Sequence, residues 1–224
     1  MKRGARGPSL RPMSIWGRIF AAGYDHFMSG PEKATLHAHR EALIAEAGGR
    51  VLEIGGGTGA NLPFYGEGVE ALTLTEPEPP MVRRLERALG RQGSAATVLR
   101  APAEDLPFED DSFDVAVSTL VLCTVEDQPR ALRELHRVLR PGGRLLFIEH
   151  VRSDDERLAT WQDRLNGLQL RLGHGCNCNR PTVASIGAAG FSITQLEHDS
   201  MRKVPPLVRP LVVGAAEANG GSPR

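Results

Sequence analysis

A glycine-rich loop follows a short apolar segment in the first third of the chain. Residues 51–59 read VLEIGGGTG, with glycine at positions 55, 57 and 59. Glycine is needed where the backbone takes a positive φ, or where a ligand must approach with no Cβ in the way. A buried strand that runs into such a loop is typical of the nucleotide-binding edge of an α/β sheet. The segment therefore predicts an α/β protein with a cofactor site at the end of its first strand.

A second strand supports this interpretation because it ends in an acid. Residues 71–75 are apolar and β-branched, and Glu76 follows them. Glu76 stands close to the spacing of about 20 residues that separates a glycine loop from an acid binding a ribose diol. The alternative is that Glu76 only ends the strand before the turn at 77–80. Nicotinamide dinucleotides and S-adenosylmethionine both remain possible, but the loop has E-x-G-x-G-x-G spacing and lacks the dinucleotide pattern G-x-G-x-x-G.

Composition narrows the class of protein further. The chain has 224 residues, enough for one well-buried domain, and its 27 basic residues balance 27 acidic ones. A balanced charge argues against a nucleic-acid partner. The 3 cysteines do not make a disulfide framework and suit a reducing cytoplasm. Residues 1–12 are basic and rich in Gly and Pro, which predicts a flexible arm, and no segment approaches the ~18 apolar residues of a membrane span.

Strands and helices alternate along the rest of the chain, which predicts a mostly parallel sheet covered by helices on both faces. We expect a helical lead-in that is broken near residue 30. A capping box at Thr124 and Asp127 is expected to start the helix that ends before the RPGG turn at 140–143. The predicted strands are 51–54, 71–75, 95–99, 113–118, 144–150, 191–196 and 207–215. The predicted helices are 15–28, 32–47, 79–89, the segment after 127, 161–172 and 182–189.

Four segments together make the chain resemble the class I S-adenosylmethionine-dependent methyltransferases. They are EIGGGTG at 53–59, TEP at 75–77, AEDLPF at 103–108 and RVLRPGG at 137–143. The resemblance implies a seven-stranded Rossmann-like fold with an N-terminal helical lid. It further implies a single domain at 13–224, with the lid at 13–47, a cofactor-binding half at 48–151 and an acceptor-binding half at 152–224.

Within that family the chain is most similar to the small alkyl thiol methyltransferases. The similarity lies in TLVLC at 119–123, FIEHV at 147–151 and the Gly-Cys-Asn turn at Cys176. It implies transfer of a methyl group to a small molecule, with a thiol as the first choice. Those relatives have an apolar N-terminal anchor that this sequence lacks, so we expect a cytoplasmic enzyme without a stable membrane anchor. The alternatives are O-, N- or C-methylation of a metabolite or lipid head group, a nicotinamide oxidoreductase, and a non-catalytic cofactor-binding module.

The resemblance also assigns roles to residues of the cofactor site. Glu76 would accept hydrogen bonds from both ribose hydroxyls, Met81 would flank the adenine, and Leu120 would pack near the sulfonium. Ala103 and Glu104 would meet the adenine edge, although Pro102 stands where many relatives have Asp. The full set of expected cofactor-binding residues is Tyr24, Glu53, Gly55, Gly57, Gly59, Glu76, Met81, Ala103, Glu104 and Leu120.

A general base, if the acceptor needs one, is expected at the carboxyl ends of strands four and five. Glu149 and His150 are both there, and because side chains alternate along a strand, at most one of them faces the pocket. Histidine has the pKa suited to proton transfer near neutrality, so His150 is the predicted catalytic residue, with His26 and His174 as weaker candidates.

The segment His174–Cys178 is the one place where the sequence suggests a metal. It offers three soft donors, whereas a closed zinc site needs four ligands and usually has wider cysteine spacing. The sequence therefore predicts no metal site and a turn lining the acceptor pocket.

Overall fold

The computed structural model describes residues 28–172 and 175–220. The strands are β1 (Gly49–Ile54), β2 (Val69–Thr75), β3 (Thr97–Leu99), β4 (Phe113–Thr119), β5 (Leu139–His150), β6 (Phe191–Ser200) and β7 (Pro210–Ala218). The helices are α1 (His37–Ile44), α2 (Pro79–Gln92), α3 (Gln128–Val138), α4 (Glu156–Leu172) and α5 (Thr182–Ala188). A π-helical segment, Glu32–Leu36, leads directly into α1, and 3-10 turns occupy Leu62–Phe64 and Pro206–Val208.

The seven strands form one sheet in the order β3-β2-β1-β4-β5-β7-β6. Strands β1 to β5 pair in parallel, whereas β7 is antiparallel to both β5 and β6. This arrangement confirms the predicted fold. Because the carboxyl ends of β1, β2, β4 and β5 meet at one edge, the loops after them face a common space.

Helices cover both faces of the sheet, as the near-continuous apolar strands require. On one face Leu52 and Phe147 pack in the same cluster as Leu132 and Leu135 of α3. On the other face Val51 and Ile148 pack with Leu43 and Ile44 of α1 and with all three cysteines. The described part of the predicted helical lid is therefore also part of the core.

Some element boundaries differ from those predicted. The predicted capping box is wrong, because the Thr124 hydroxyl donates back to the Val121 carbonyl at 2.9 Å. Asp127 is instead the N-cap of α3, and its side chain accepts from the Arg130 N–H at 2.9 Å. Strand β5 begins at Leu139, which pairs with Phe113, and the ladder is irregular before Arg144.

The predicted helix 15–28 lies almost wholly outside the described residues. The predicted break near residue 30 is wrong, because residues 28–31 are helical and continue into the segment Glu32–Leu36. Within 28–172 and 175–220, every helix is too short or too polar to cross a bilayer.

Candidate active site

The glycine loop after β1 has the backbone that its sequence predicts. Gly55, Gly57 and Gly59 have φ values of 59°, 55° and 81°. A Cβ on Gly55 would lie 2.5 Å from Cγ2 of Val121, and one on Gly59 would lie 2.7 Å from Cδ1 of Leu62. A Cβ on Gly57 would meet nothing in the described structure nearer than the Gly55 carbonyl oxygen at 3.7 Å. Gly57 therefore borders open space, as a loop in contact with a ligand requires.

Glu76 holds this loop from the neighbouring strand. Its side chain is buried, with Oε2 accepting from the Gly57 N–H at 3.0 Å and Oε1 from the Glu78 N–H at 2.9 Å. Burial raises the pKa of the Glu76 carboxyl, and the two backbone hydrogen bonds oppose that rise. One carboxylate thus fixes the loop and stands at the end of β2. Its predicted contact with ribose hydroxyls stays a prediction.

A buried polar chain runs from α1 to the same loop through Glu53. Asn61 Nδ2 donates to Glu53 Oε1 at 3.0 Å, and the Tyr65 hydroxyl donates to Oε2 at 2.6 Å. Arg40 in turn donates to Asn61 Oδ1 and, through Nε, to Glu32 Oε1 at 3.0 Å. Glu53, at the end of β1, is thus tied to the segment that follows the glycine loop, and its predicted role in the cofactor site stays a prediction.

Sequence reasoning missed Arg40, Asn61 and Tyr65. An arginine in an amphipathic helix is ordinarily a surface residue, and Asn61 and Tyr65 follow the loop without forming a motif. Asn61 also reaches across to β4, donating from Nδ2 to the Thr119 hydroxyl at 3.1 Å. These residues connect the helix, the glycine loop and the end of β4 in one network.

The buried Glu53 carboxyl makes stability depend on pH. Burial raises its pKa from 4.5 to about 7, against the lowering effects of the Tyr65 hydrogen bond and the Arg40 charge. Between these values the folded state keeps a proton that the unfolded state releases, so this group's contribution to stability falls as pH rises. We expect the wild-type free energy of unfolding, relative to that of Glu53→Gln, to fall by about 2 kcal/mol from pH 5 to pH 7. Urea unfolding of both proteins at each pH measures this difference.

The control is Glu41→Gln, the same chemical change at an exposed carboxyl of α1. The pH dependence of the Glu53→Gln difference is measured against that of this variant. The raised pKa of Glu53 would be contradicted if the difference in free energy of unfolding between wild type and Glu53→Gln stayed constant with pH. It would also be contradicted if that difference grew in favour of wild type as pH rose.

At the ends of β4 and β5, Glu149 organises the backbone. Its carboxylate accepts from the Ser118 hydroxyl at 2.6 Å and from the N–H groups of Val121, Leu122 and Cys123 at 3.0, 3.0 and 3.1 Å. With all of these donors, Glu149 shapes the loop after β4 and is not free to act as a base.

Leu120 has a backbone conformation that is rare for a residue with a side chain. Its φ is 58°, and its N–H donates to the Ile148 carbonyl at 2.8 Å. Such outliers are held in place by their surroundings and occur often at ligand sites. Leu120 lies at the edge shared with the glycine loop and Glu76, where the sulfonium end of the cofactor is expected.

The predicted adenine side of the site is less fully defined. Met81 is half-buried in the first turn of α2, and Ala103 is buried in the core cluster around β4 and β5. Glu104 accepts from the N–H groups of Glu126 and Asp127 at 2.8 and 3.3 Å, so it supports the segment before α3. These contacts give Glu104 a structural role, and its adenine contact stays a prediction.

His150 has sulfur neighbours. Its Nδ1 lies 3.4 Å from Cys176 Sγ and 3.8 Å from Cys123 Sγ, while Nε2 is buried without a hydrogen-bond partner among the described residues. Cys178 Sγ lies 3.4 Å from Cys176 Sγ. The role of His150 as a base stays a prediction. Tyr24, His26 and His174 lie outside the described residues.

The comparisons with known proteins agree with this geometry. Residues 52–147 match the family described as a methyltransferase domain. The chain is 38% identical over 222 residues to thiol S-methyltransferase TMT1A of Homo sapiens, an alignment covering 92% of this chain and 91% of that protein. The chain belongs to the S-adenosylmethionine-dependent methyltransferases. It is therefore an enzyme whose cofactor is S-adenosylmethionine, as the resemblance implied.

Two further likenesses extend the comparison. The chain is 30% identical to a phosphatidylethanolamine N-methyltransferase of Cereibacter sphaeroides, over 67% of this chain and 74% of that methyltransferase. The crystal structure of the [4+2]-cyclase SpnF has a TM-score of 0.72 at 19% identity, over 92% of this chain and 96% of that one. At that identity the cyclase shows a shared fold and nothing about the reaction.

Proposed function

We propose that this methyltransferase transfers the methyl group of S-adenosylmethionine to the sulfur of a small thiol. The similarity to human thiol S-methyltransferase TMT1A, which extends over nearly the whole of both chains, carries the proposal. The balanced charge, 27 basic against 27 acidic residues, supports a small molecule over a nucleic acid as the acceptor. The 3 cysteines are free thiols, which supports a reducing compartment such as the cytoplasm.

The side chains that surround the glycine loop are suited to methylation of a thiol. Methyl transfer is an in-line displacement at an activated carbon, so the enzyme has mainly to align the acceptor and exclude water. A thiol with a pKa near ~8.5 is already a few per cent thiolate at neutral pH and needs no strong base. The buried carboxyls Glu53, Glu76 and Glu149 are all engaged by hydrogen-bond donors. They support the site without having to accept a proton from the substrate.

For the cofactor we propose a role for each residue of the expected binding set. The backbone of the glycine loop would lie against the methionine and ribose parts, with Glu53 holding the loop and Glu76 accepting from the ribose hydroxyls. Met81, Ala103 and Glu104 would flank the adenine, Leu120 would pack near the sulfonium, and Tyr24 would close over the methyl donor. The open space beside Gly57 and the two backbone contacts of Glu76 support this orientation.

The acceptor is tested with methyl-labelled S-adenosylmethionine and a panel of alkyl thiols, phenols and amines. We expect the label on the sulfur of at least one thiol, with S-adenosylhomocysteine released in equal amount. Glu76→Gln and a reaction without protein serve as controls for the enzyme-dependent product. Label found only on oxygen, nitrogen or carbon would overturn the thiol proposal while leaving the methyltransferase assignment intact.

N-methylation of an amine head group is the second candidate. The relative from Cereibacter sphaeroides, which is named for phosphatidylethanolamine N-methylation, favours it. Phosphatidylethanolamine vesicles in the same panel test it directly. Methyl transfer to their amine, with all thiols unmodified, would establish this candidate in place of the first.

A further inference from the structure

Three side chains that are distant in the sequence meet on one face of the sheet. Cys123 lies in the loop after β4, His150 is the last residue of β5, and Cys176 lies in the turn after α4. One donor atom from each, the two Sγ atoms and a ring nitrogen, lies within 4.8 Å of the others. All three are buried, with exposed fractions of 0%, 9% and 7% respectively.

The two separations between His150 Nδ1 and the cysteine sulfurs match those around a tetrahedral zinc ion, and the two sulfurs lie within 4.8 Å of each other. With Zn–S near ~2.3 Å and Zn–N near ~2.0 Å, adjacent ligand atoms of a tetrahedron lie about 3.5 to 3.8 Å apart. His150 Nδ1 is 3.4 Å from Cys176 Sγ and 3.8 Å from Cys123 Sγ. A small shift of the side chains would therefore place all three at bonding distance from one ion.

Hydrogen bonds hold the backbone segments that carry the donors. The Asn177 N–H donates to the Cys123 carbonyl at 2.7 Å, joining the turn to the loop after β4. Gln162 of α4 donates to the carbonyls of Val151 and Cys178 at 3.1 and 2.9 Å, joining the end of β5 to the same turn. Donors that are positioned before an ion arrives are what a metal site requires.

Buried cysteines are often simple apolar core residues, and this is the competing explanation. It does not account for the imidazole, because a buried ring nitrogen needs a stronger partner than a thiol, which is a weak donor and a weak acceptor. A pair of thiols around a buried imidazole is instead a recognised donor set for zinc.

We infer that Cys123, His150 and Cys176 form a binding site for a thiophilic divalent cation, best matched by Zn²⁺, with its fourth coordination position open. On binding, the two cysteines release their protons to solvent and the thiolates balance the charge of the ion. Cys178 Sγ is near Cys176 but does not belong to the group of mutually close donors, so it is not a ligand. In this role the Nδ1 lone pair of His150 is not available for proton transfer.

The test is a metal titration of the full-length protein, reduced and freed of metal with a chelator. We expect one equivalent of Zn²⁺ to bind in competition with a chromophoric chelator. Co²⁺ should give thiolate charge-transfer absorption and the intense d–d bands of a tetrahedral site. Cys123→Ser, Cys176→Ser and His150→Gln should each lower the affinity at least about tenfold, because each removes a ligand.

Cys178→Ser is the matched control, since it changes the same chemistry two residues from Cys176. Its affinity should remain within about threefold of wild type. Calorimetric binding of S-adenosylmethionine without any acceptor checks that each variant is folded, and it keeps the metal result separate from that of the thiol assay. Absence of stoichiometric Zn²⁺ binding by the folded wild type would overturn the inference. A loss in Cys178→Ser equal to that in Cys176→Ser would overturn the three-ligand site.

Discussion

Replacing Glu76 by glutamine is expected to weaken S-adenosylmethionine binding by about 10- to 100-fold. The carboxylate accepts from the Gly57 N–H in the loop and is proposed to accept from the ribose hydroxyls as well. Hydrogen bonds to a charged group are worth about 1.5 to 3 kcal/mol each, and 1.4 kcal/mol corresponds to a factor of ten. The amide keeps the shape of the side chain but turns an N–H group toward one of these donors. Isothermal titration calorimetry on both proteins measures the change.

Glu78→Gln is the control for Glu76→Gln. Glu78 lies two residues away and is half-buried, and it meets the Glu76 side chain through its backbone N–H. Its side-chain substitution should therefore leave cofactor affinity within about twofold. Thermal unfolding of both variants shows whether a loss of binding is only a loss of fold. Equal affinity of Glu76→Gln and wild type would remove the ribose assignment.

Replacing Gly57 by alanine should weaken cofactor binding by at least about tenfold while lowering stability by about 1 to 2 kcal/mol. A Cβ there meets no described atom nearer than 3.7 Å, so the protein can accommodate it at the cost of the positive φ, about 1 to 2 kcal/mol. The space that the new methyl group enters is where the cofactor is proposed to lie, and filling a closely packed contact costs about 1 to 3 kcal/mol. Calorimetry and thermal unfolding measure the two effects separately.

Alanine substitutions at two other glycines serve as comparisons for Gly57→Ala. Gly93, the C-cap of α2, also has a positive φ, 63°. A Cβ added to Gly93 would have no described atom within 4 Å, and Gly93 is far from the glycine loop in the sequence. Gly93→Ala should show a similar loss of stability with normal cofactor affinity. Gly55→Ala should lose more stability than either, because its Cβ would lie 2.5 Å from Val121. If Gly57→Ala bound the cofactor as well as Gly93→Ala does, the cofactor would not lie against residue 57.

Much of the cofactor half was predictable because its signals are local. The apolar run into Gly55, Gly57 and Gly59 specifies a strand followed by a turn with positive φ, whatever surrounds it. The alternation of strands and helices likewise specifies a parallel sheet, whose carboxyl ends must share an edge. The position of Glu76 beside the loop follows from these two facts. The capping box failed because two residues near the start of α3 could cap it, and the local pattern alone did not choose between them.

The glycine loop, the acid at the end of β2 and the α/β class could be predicted from the amino-acid sequence, because each follows from residues that are close together in the chain. The partners of Glu53 and of His150 follow from the three-dimensional fold instead. Arg40 reaches Asn61 from α1, and Cys123 and Cys176 reach His150 from different loops. The spacing of these residues in the sequence does not predict these contacts. They arise because the order of strands in the sheet, and the burial that drives it, bring separate segments to one place.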